Sequence, residues 1–522
     1  MLPQKARKQF PANTYRMSIP KICGIETEYA IIQPKLADQN PIHASSVIVN
    51  AYAKQADLST NSGVAYSVEW DFNNEMPEND VRGLTPIGSL PPLIETHLVN
   101  AVLENGARFY VDHAHPEIST PECVDALQVV KYDRSGEKIL ELAMHLANQN
   151  LEPEEEIIVY KDNSDGKGNS YGCHENYLVS RLTPFGDIIC HATTHFITRQ
   201  IYTGSGKIGV EIPGLDSDSL QYQLTQRADF FEEEVGLETT LKRPIINTRD
   251  EPHADASKYR RLHVICGDAN MSETATFLKV GSTIILLAMI EDDFLHRRII
   301  FDNPVRSIRE VSHDTSLQKP LMLQDGSSIR ALEAQWEIFS SAKTYVENGG
   351  AEHTGGAVAQ TIIQTWERVL TGLEKDPESL STEIDWIAKK LLIERYADRH
   401  NLPLTDPRIK LLALQYHDIR ESKRITDIIG LKKLIDEEEI LSGIDNPPEE
   451  TRAYFRGMCL QKWPESIVSA NWDSLVFRIE GDHLKRIPIL DPNEGTSLKL
   501  QSLLNRVNSP TELIAEIESS NK

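Results

Sequence analysis

The sequence lacks the marks of a membrane-bound or disulfide-stabilised protein. Its six cysteines are scattered, with no C-x-x-C pair, so neither a disulfide framework nor a zinc knuckle is indicated. The longest strongly apolar run, VGSTIILLAMI at 280–290, has only eleven residues. A helix needs roughly 20 apolar residues to cross a bilayer, and the basic N-terminus has no apolar stretch of the secretory kind. We therefore predict no membrane segment and a cytoplasmic location.

Acidic residues clearly outnumber basic ones in this sequence. There are 54 lysines and arginines against 78 aspartates and glutamates, which gives a formal net charge of −24. Such a surface repels a phosphate backbone, so we predict no nucleic-acid partner. The chain is nevertheless large: its 522 residues, 40% of them hydrophobic, suffice for a large core and a smaller second unit.

Short β-branched segments recur along the first half of the chain, from KICGIETEYAII at 21–32 to HVICGDANMSE at 263–273. Separated by turn-rich stretches, they predict an α+β fold in which helices pack on a mostly antiparallel sheet. Residues 38–85 are polar and poorly periodic, which predicts a functional loop insertion. The spacing of SLQYQLTQRADFFEEEVG at 219–236 predicts a helix.

The stretch GIDNPPEE at 443–450 predicts a linker near the end of the chain. The expected organisation is a leader at 1–16, a catalytic domain at 17–442 and a small C-terminal domain at 443–522.

The segment ARFYVDHAHPEISTPE at 107–122 is crowded with groups that bind ions or move protons. If it is a strand, its period of two places Arg108, Tyr110 and Asp112 on one face. A strand on a solvated sheet would show the same alternation. The pattern therefore predicts either a site or an exposed sheet face.

Similar polar faces occur on other predicted strands. Glu26 and Glu28 share one face of GIETEYAII, and His174 and Asn176 share one face of YGCHENYLV. His263 stands on a third apolar strand, in RRLHVICGD. Each of these is compatible with an ordinary exposed or satisfied side chain, but together in one sheet they would line a polar cradle.

A cradle of carboxylates and imidazoles with few sulfurs favours Mg²⁺ or Mn²⁺, and Mg²⁺ is commonly held together with nucleotide phosphates. Arg108 could bind a phosphate oxygen, and Asn176 a ribose or phosphate group. Asp112 could act as a nucleophile or a base. These residues therefore predict a metal–nucleotide enzyme.

The same segments resemble the Pup ligase and depupylase family, relatives of the glutamine synthetase and glutamate–cysteine ligase superfamily. The resemblance covers most of the chain, through GIETEYA, ARFYVDHAHPEISTPE, GNSYGCHENYL, RPIINTRDEPHADASKYRRLHVICGDANMSE, TRAYFRG and NWDSLVF. It implies a glutamine synthetase-like sheet cradle and an enzyme that needs ATP and Mg²⁺, with Mn²⁺ as a substitute. Its substrate would be the side-chain amide at the C-terminal residue of Pup, a bacterial protein tag.

Two activities occur in that family. The ligase joins Pup to a lysine, whereas the depupylase hydrolyses that bond and deamidates a C-terminal Gln of Pup. The insertion at 38–85, the close spacing of Asp112 and Glu117, and the stretch FFEEEVGLETTLKRP at 230–244 resemble the depupylase. The alternatives are a Pup ligase and an inactive adaptor that binds ATP or Pup. An adaptor has no need for Asp112, Glu26 and His174.

The resemblance also implies roles for individual residues. The metal ligands would be Glu26, Tyr110, Glu117, His174 and His263. ATP, held as a cofactor, would be bound by Arg108, Thr120, Asn176 and Trp472, with Asp112 as the catalytic aspartate. Arg227 and Arg249 are candidates to bind a phosphate or a Pup carboxylate; an ion pair for Arg227 and a loop contact for Arg249 are the alternatives.

The implied partners are Pup, pupylated proteins and the proteasomal ATPase ring. Pup is acidic in this family, so an acidic enzyme needs a local basic groove to bind it. The basic residues that could contribute to such a groove are Lys242, Arg243, Arg260 and Arg261, and charge reversal at Arg260 and Arg261 is expected to weaken Pup binding. Support of the His263 strand is the alternative role of the last two arginines.

Overall fold

The structure is a computed structural model that describes residues 18–59, 68–72, 75–83 and 99–520. Its strands are β1 Cys23–Glu28, β2 Ala30–Ile32, β3 Glu69–Trp70, β4 Asn100–Val102, β5 Arg108–Asp112, β6 His115–Ser119, β7 Ile158–Tyr160, β8 Cys173–Ser180, β9 Lys207–Ile208, β10 Tyr222–Gln223, β11 Phe231–Gly236, β12 Arg243–Asn247, β13 Tyr259–Val264, β14 Pro320–Met322, β15 Ser328–Arg330, β16 Ile467–Asn471, β17 Ser474–Ile479 and β18 His483–Pro488.

The helices surround these strands. They are α1 Pro41–Ser59, α2 Ala126–Asn148, α3 Phe185–Thr198, α4 Gln200–Thr203, α5 Glu273–Glu291, α6 Pro304–His313, α7 Ala331–Glu347, α8 Ala357–Lys375, α9 Asp385–His400, α10 Pro407–Gln415, α11 Ile425–Ile428, α12 Glu437–Asp445, α13 Arg452–Lys462, α14 Ser497–Arg506 and α15 Pro510–Ser520.

A six-stranded antiparallel sheet forms the centre of the molecule, in the order β13-β8-β1-β6-β5-β4. Alternate residues of its strands, including Ile25, Phe109 and Tyr177, are buried in cores built with the helices. The intervening residues, such as Glu26 and His174, fall on the opposite face because side chains alternate along a strand. The predicted α+β fold with an antiparallel sheet cradle is confirmed.

Helix α5 runs through the main core. The Ser272 hydroxyl caps its N-terminus by accepting a hydrogen bond from the Ala275 amide, and all of its residues from Glu273 to Glu291 are buried. By length and composition the helix could cross a membrane, but it is wholly enclosed by the fold. Its apolar character is explained by burial on every side.

The prediction of a loop at 38–85 is wrong for residues 41–59. Residues Pro41–Ser59 form helix α1, which packs against α2 and the central sheet. Ala44, Ile48 and Val49 are buried apolar side chains of this helix, and their spacing of four and five residues makes a narrow apolar stripe among polar neighbours. Residues 60–67, 73–74 and 84–98 lie outside the described chain.

The helix predicted at 219–236 is also wrong. This stretch contains β10, which pairs with β9, and β11, which pairs in parallel with β12. Phe231 is fully buried, while Glu232 and Glu233 are exposed. Three successive glutamates favour a helix locally, but pairing with β12 decides the conformation.

The end of the chain builds a second, smaller core. Helices α13 to α15 pack on the sheet β18-β17-β16-β3, with Phe455, Leu475 and Phe477 buried between them. One strand of this sheet, β3, comes from the early segment 68–72 and runs parallel to β16. The domain boundary at 443 stays a prediction, and the leader at 1–16 lies outside the described residues.

Candidate active site

The first group of possible metal ligands lies across three neighbouring strands. Glu26 on β1, His174 on β8 and His263 on β13 bring one ligand atom each within 4.8 Å of one another. The register explains this grouping, because Glu26 is opposite His174, and His263 is opposite Asn176, the second residue after His174. Three predicted ligands are therefore brought together.

His263 has a nitrogen available for a cation. Its Nδ1 lies 3.1 Å from the Asn176 amide oxygen. Its buried Nε2 has no hydrogen-bond partner among the residues that the structure describes. Burial, and then the positive charge of Arg261, hold the pKa of His263 well below its usual range, so the ring is neutral. A neutral imidazole with a free lone pair is a metal ligand.

Glu26 stays ionised beside these rings. Burial opposes its ionisation, but the hydrogen bond with His174 and the positive charge of Arg261 hold its pKa well below the usual range. Its Oε1 also accepts a hydrogen bond of 2.8 Å from Asn176. One carboxylate and two imidazoles suit Mn²⁺ at least as well as Mg²⁺.

The second group consists of carboxylates. Glu28, Asp112 and Glu117 have oxygens within 4.8 Å of one another. Burial, and then repulsion from Asp112 and Glu28, raise the pKa of Glu117 well above its usual range. Burial also disfavours the charge of Glu28, but the hydrogen bond with His115 and nearby imidazoles lower its pKa to about 2. Such a donor set fits a hard cation such as Mg²⁺, which would relieve the repulsion.

Tyr110, a predicted metal ligand, lies next to this second group. It is opposite Glu117 across β5 and β6, and its buried hydroxyl is 3.3 Å from the Ser119 hydroxyl. Burial and the charge of Glu117 raise the pKa of Tyr110 well above its usual range, so the phenol is neutral. Its role as a ligand stays a prediction.

A cleft beside the first group contains three of the four predicted nucleotide-binding residues. Thr120, Asn176 and Trp472 line it, and it encompasses about 570 Å³. Ile22, Leu178 and other apolar residues form part of its wall, as is common where a protein holds an aromatic ring. The Thr120 hydroxyl accepts the Ile25 amide proton at 3.0 Å, so it also fixes β1.

Arg108, the fourth, is held beside that cleft. Its guanidinium carbon lies 4.0 Å from the centre of the Trp70 ring and 3.8 Å from that of Tyr110. It also donates to the Asn100 side-chain oxygen, at 2.9 Å from Nε. Trp70 in turn meets Trp472 edge-on at 5.3 Å. The arginine is therefore positioned by aromatic rings from two sheets.

The two weaker arginine candidates differ in their surroundings. Arg227 is 1% exposed and donates to the Ile265 carbonyl and, at 3.2 Å, to the Ser170 hydroxyl. These hydrogen bonds hold the Arg227 side chain in the protein interior, within range of the charge of Glu28, and its role in binding an anion stays a prediction. Arg249 has a buried Nε without a hydrogen-bond partner in the described chain and lies near the charges of Glu26 and Asp112. It remains a candidate to bind an anion.

The predicted basic groove is divided between the faces of β13. Arg260 is 7% exposed, donates to the Thr183 carbonyl at 3.0 Å and packs on Phe185, so its proposed place in the groove is corrected. Arg261 points to the site, where it donates to Asn176 at 2.7 Å and to Glu251 at 3.2 Å. Arg243 donates to the Ser170 carbonyl at 3.0 Å.

Sequence reasoning assigned no role to several residues of this region. A role for Glu28 could have been assigned because it lies two residues after Glu26 and therefore on the same face of the strand. A role for His115 could have been assigned because it lies between Asp112 and Glu117 in the sequence. Nothing local marks Trp70 or Glu251, which reach the site through long-range contacts. The additional site residues are Glu28, Trp70, His115 and Glu251, and Arg261, which was considered for a basic groove, contacts the same site.

A sheet cradle with two groups of cation ligands and an adjacent apolar cleft is the architecture of a nucleotide-dependent enzyme. Within that class, residues 21–476 match the model of the Pup-ligase protein family, and the chain belongs to this family.

Relatives with both family activities are similar to this chain. The depupylase of Acidothermus cellulolyticus is 45% identical, covering 95% of this chain and 99% of the relative. The Pup deamidase/depupylase of Mycolicibacterium smegmatis is 42% identical with the same coverages. A Pup–protein ligase of Kineococcus radiotolerans is 40% identical but covers 78% of this chain and 90% of the relative. The predicted family and the depupylase and Pup deamidase function are confirmed.

Two solved structures are also similar. The complex between Pup and its ligase PafA has a TM-score of 0.76 and 31% identity, covering 97% of this chain and 96% of the other. The Pup ligase PafA in complex with ADP has a TM-score of 0.71 and 36% identity, covering 78% and 89%. They support Pup as a partner and a nucleotide as a ligand.

Proposed function

We propose that this protein is an ATP- and Mg²⁺-dependent depupylase that also deamidates the C-terminal Gln of Pup. One observation carries the proposal: an oxygen of the Asp112 carboxylate lies within 4.8 Å of oxygens of two further carboxylates, in a sheet cradle that also borders the cleft lined by Thr120, Asn176 and Trp472. The full-length similarity to depupylases favours hydrolysis over ligation, since the ligase relative covers less of the chain.

The nucleotide and cations have places in this arrangement. The apolar wall and Trp472 would hold the base, while Asn176, Arg108 and Arg249 would meet the more polar part of ATP. Glu26, His174 and His263 would hold one cation, and Glu28 and Glu117, with Tyr110 beside them, a second. When bound, the cations would supply positive charge that neutralises the phosphates and polarises the scissile carbonyl.

Asp112 would perform the cleavage. In one route its carboxylate attacks the amide carbon, and the carbon–nitrogen bond breaks as the nitrogen takes a proton from water and leaves as ammonia or the lysine amine. Water then hydrolyses the resulting anhydride, which restores Asp112 and releases Pup ending in Glu. In the other route Asp112 takes a proton from the water that attacks. In both, Arg249 lies close enough to Asp112 for their charges to interact.

The decisive experiment combines the purified protein with ATP, Mg²⁺ and Pup ending in Gln, and follows ammonia and ADP together. Many ammonia molecules per ADP are expected, because ATP remains bound as a cofactor. Asp112→Asn should abolish ammonia release while nucleotide affinity is retained. No ammonia from Pup-Gln, with ADP formed in step with Pup–lysine conjugation from Pup-Glu, would instead identify a ligase.

We also propose a cytoplasmic location and pupylated proteins as substrates, with the proteasomal ATPase ring as a further partner. All six cysteines are free in the structure, which supports a reducing compartment. Co-purification of the tagged protein with the ATPase ring, compared with a purification from cells lacking Pup, tests the partner.

A further inference from the structure

The hairpin between β5 and β6 has an unusual residue at its tip. Asp112 pairs with His115, so His113 and Ala114 form a two-residue loop. The φ of His113 is 51°, in the left-handed region. Two-residue loops that begin in this conformation favour glycine, because a β-carbon there is strained. The chain thus carries a side chain where a glycine would fit more easily.

That side chain contacts the catalytic aspartate. His113 Nδ1 lies 2.9 Å from Asp112 Oδ2. An ionised carboxylate can only accept, so the imidazole N–H donates. Within the described ranges, no other group donates a hydrogen bond to the Asp112 carboxylate. The strained residue therefore supplies the hydrogen bond that orients Asp112.

Orientation matters here because Asp112 is repelled by its neighbours. Glu28 and Glu117 have oxygens within 4.8 Å of it. Without a donor, this repulsion would turn the carboxylate toward solvent, where it is already partly exposed. A hydrogen bond to Oδ2 would hold the carboxylate in one orientation, with Oδ1 available to a reacting group. A small displacement of a reacting group from its productive position strongly reduces the reaction rate.

We propose that His113 is a positioning residue for amide cleavage, which uses the strained tip of the hairpin to hold the Asp112 carboxylate in its reactive orientation. This inference rests on the proposed function of Asp112. The effect belongs to the chemical step, because bound substrate excludes water from the pair and strengthens the hydrogen bond.

Three variants test this role. His113→Gly relieves the backbone strain and removes the donor. His113→Asn keeps a donor on a residue that tolerates the left-handed region. Asp482→Gly is the matched control, because Asp482 is an exposed residue with a φ of 59° in the turn between β17 and β18. For each, kcat and KM for ammonia release from Pup-Gln, nucleotide affinity and the melting temperature are measured.

His113→Gly should melt no lower than the wild type, yet lose about 10- to 100-fold in kcat at nearly unchanged KM. His113→Asn should recover most of this loss, and Asp482→Gly should match the wild type in kcat. Full activity of His113→Gly would overturn the inference, as would an equal loss in the Gly and Asn variants. If the wild type joins Pup to lysine instead of cleaving amides, the proposed function fails, and the same variants test His113 on the conjugation rate.

Discussion

The guanidinium of Arg108 lies between the rings of Trp70 and Tyr110, 4.0 and 3.8 Å from their centres. Tyr110 belongs to the central sheet, whereas Trp70 lies on β3, which pairs with β16 of the smaller C-terminal sheet. The Trp70 indole N–H donates to Glu75 at 2.6 Å, which fixes the ring. The two sheets thus jointly position one nucleotide-binding candidate.

Replacing Trp70 should therefore weaken nucleotide binding. In Trp70→Leu the cation–π contact is lost, and affinity for a fluorescent ATP analogue should fall by about 5- to 30-fold. Trp70→Phe keeps an aromatic face and should lose much less. Equal affinities for the Leu variant and the wild type would show that Arg108 is held by Tyr110 and Asn100 alone.

Gly172 lies between His174 of the first group of candidate metal ligands and Glu28 of the second. A β-carbon on Gly172 would lie 2.3 Å from His174 Nε2 and 2.8 Å from Glu28 Oε1. Both side chains would have to move, so Gly172→Ala should reduce Mn²⁺ affinity in calorimetry by about 10- to 100-fold.

The matched control for this change is Gly186→Ala. Gly186 lies in α3, and its β-carbon would meet nothing within 4 Å. This variant should bind Mn²⁺ normally and be stabilised by about 0.5–1 kcal/mol. Normal metal affinity in Gly172→Ala would mean that His174 and Glu28 are not ligands.

The raised pKa of Glu117 predicts how pH affects the metal-free protein. Because its pKa is higher folded than unfolded, its protonated form stabilises the fold. That contribution is complete below the ordinary glutamate pKa of about 4.3 and is lost as pH rises through the folded value. In a metal chelator, Glu117→Gln should therefore melt higher than the wild type at alkaline pH, with the difference vanishing in acid.

Metal binding should show the complementary trend. Glu117 must ionise to bind a cation, so Mg²⁺ affinity should increase with pH, and protons should be released on binding. Calorimetry in buffers of different ionisation enthalpy measures the released protons. A pH-independent affinity without proton release would place the cation away from Glu117.

Arg260 and Arg261 should respond differently to substitution. Arg261→Ala removes donors to Asn176 and Glu251 and should reduce the rate of Pup-Gln deamidation. Arg260→Ala removes a hydrogen bond to the Thr183 carbonyl and should cost about 1–3 kcal/mol of stability without changing Pup affinity. Reduced Pup binding in the Arg260 variant alone would restore the groove as first predicted.

Much of the site could be predicted from sequence because it is built on strand periodicity. Glu26 and Glu28 share a face for that reason alone, and Asp112 and Glu117 are joined by a short hairpin. The contact between His263 and Asn176 depends on the register of β13 against β8, which spacing does not determine.

The wrong secondary-structure predictions and the missed role of Trp70 have a common physical cause. In α1 a narrow apolar stripe was hidden by polar neighbours, and in β11 a glutamate-rich strand owes its conformation to β12. Trp70 reaches Arg108 only after pairing with β16, near the other end of the chain. Each conformation is decided by a partner distant in sequence, so local patterns could not predict it.

The pairing of β3 with β16 also constrains biosynthesis. The Asn471 side chain donates to the Asp71 carbonyl from a position 400 residues away. On the ribosome, the segment around Trp70 emerges early but must wait for almost the whole chain before its partner strand exists. Until then its backbone groups are unpaired, and Arg108 lacks one of its two aromatic neighbours. The candidate nucleotide site is thus complete only when residues close to the end of the chain have been synthesised.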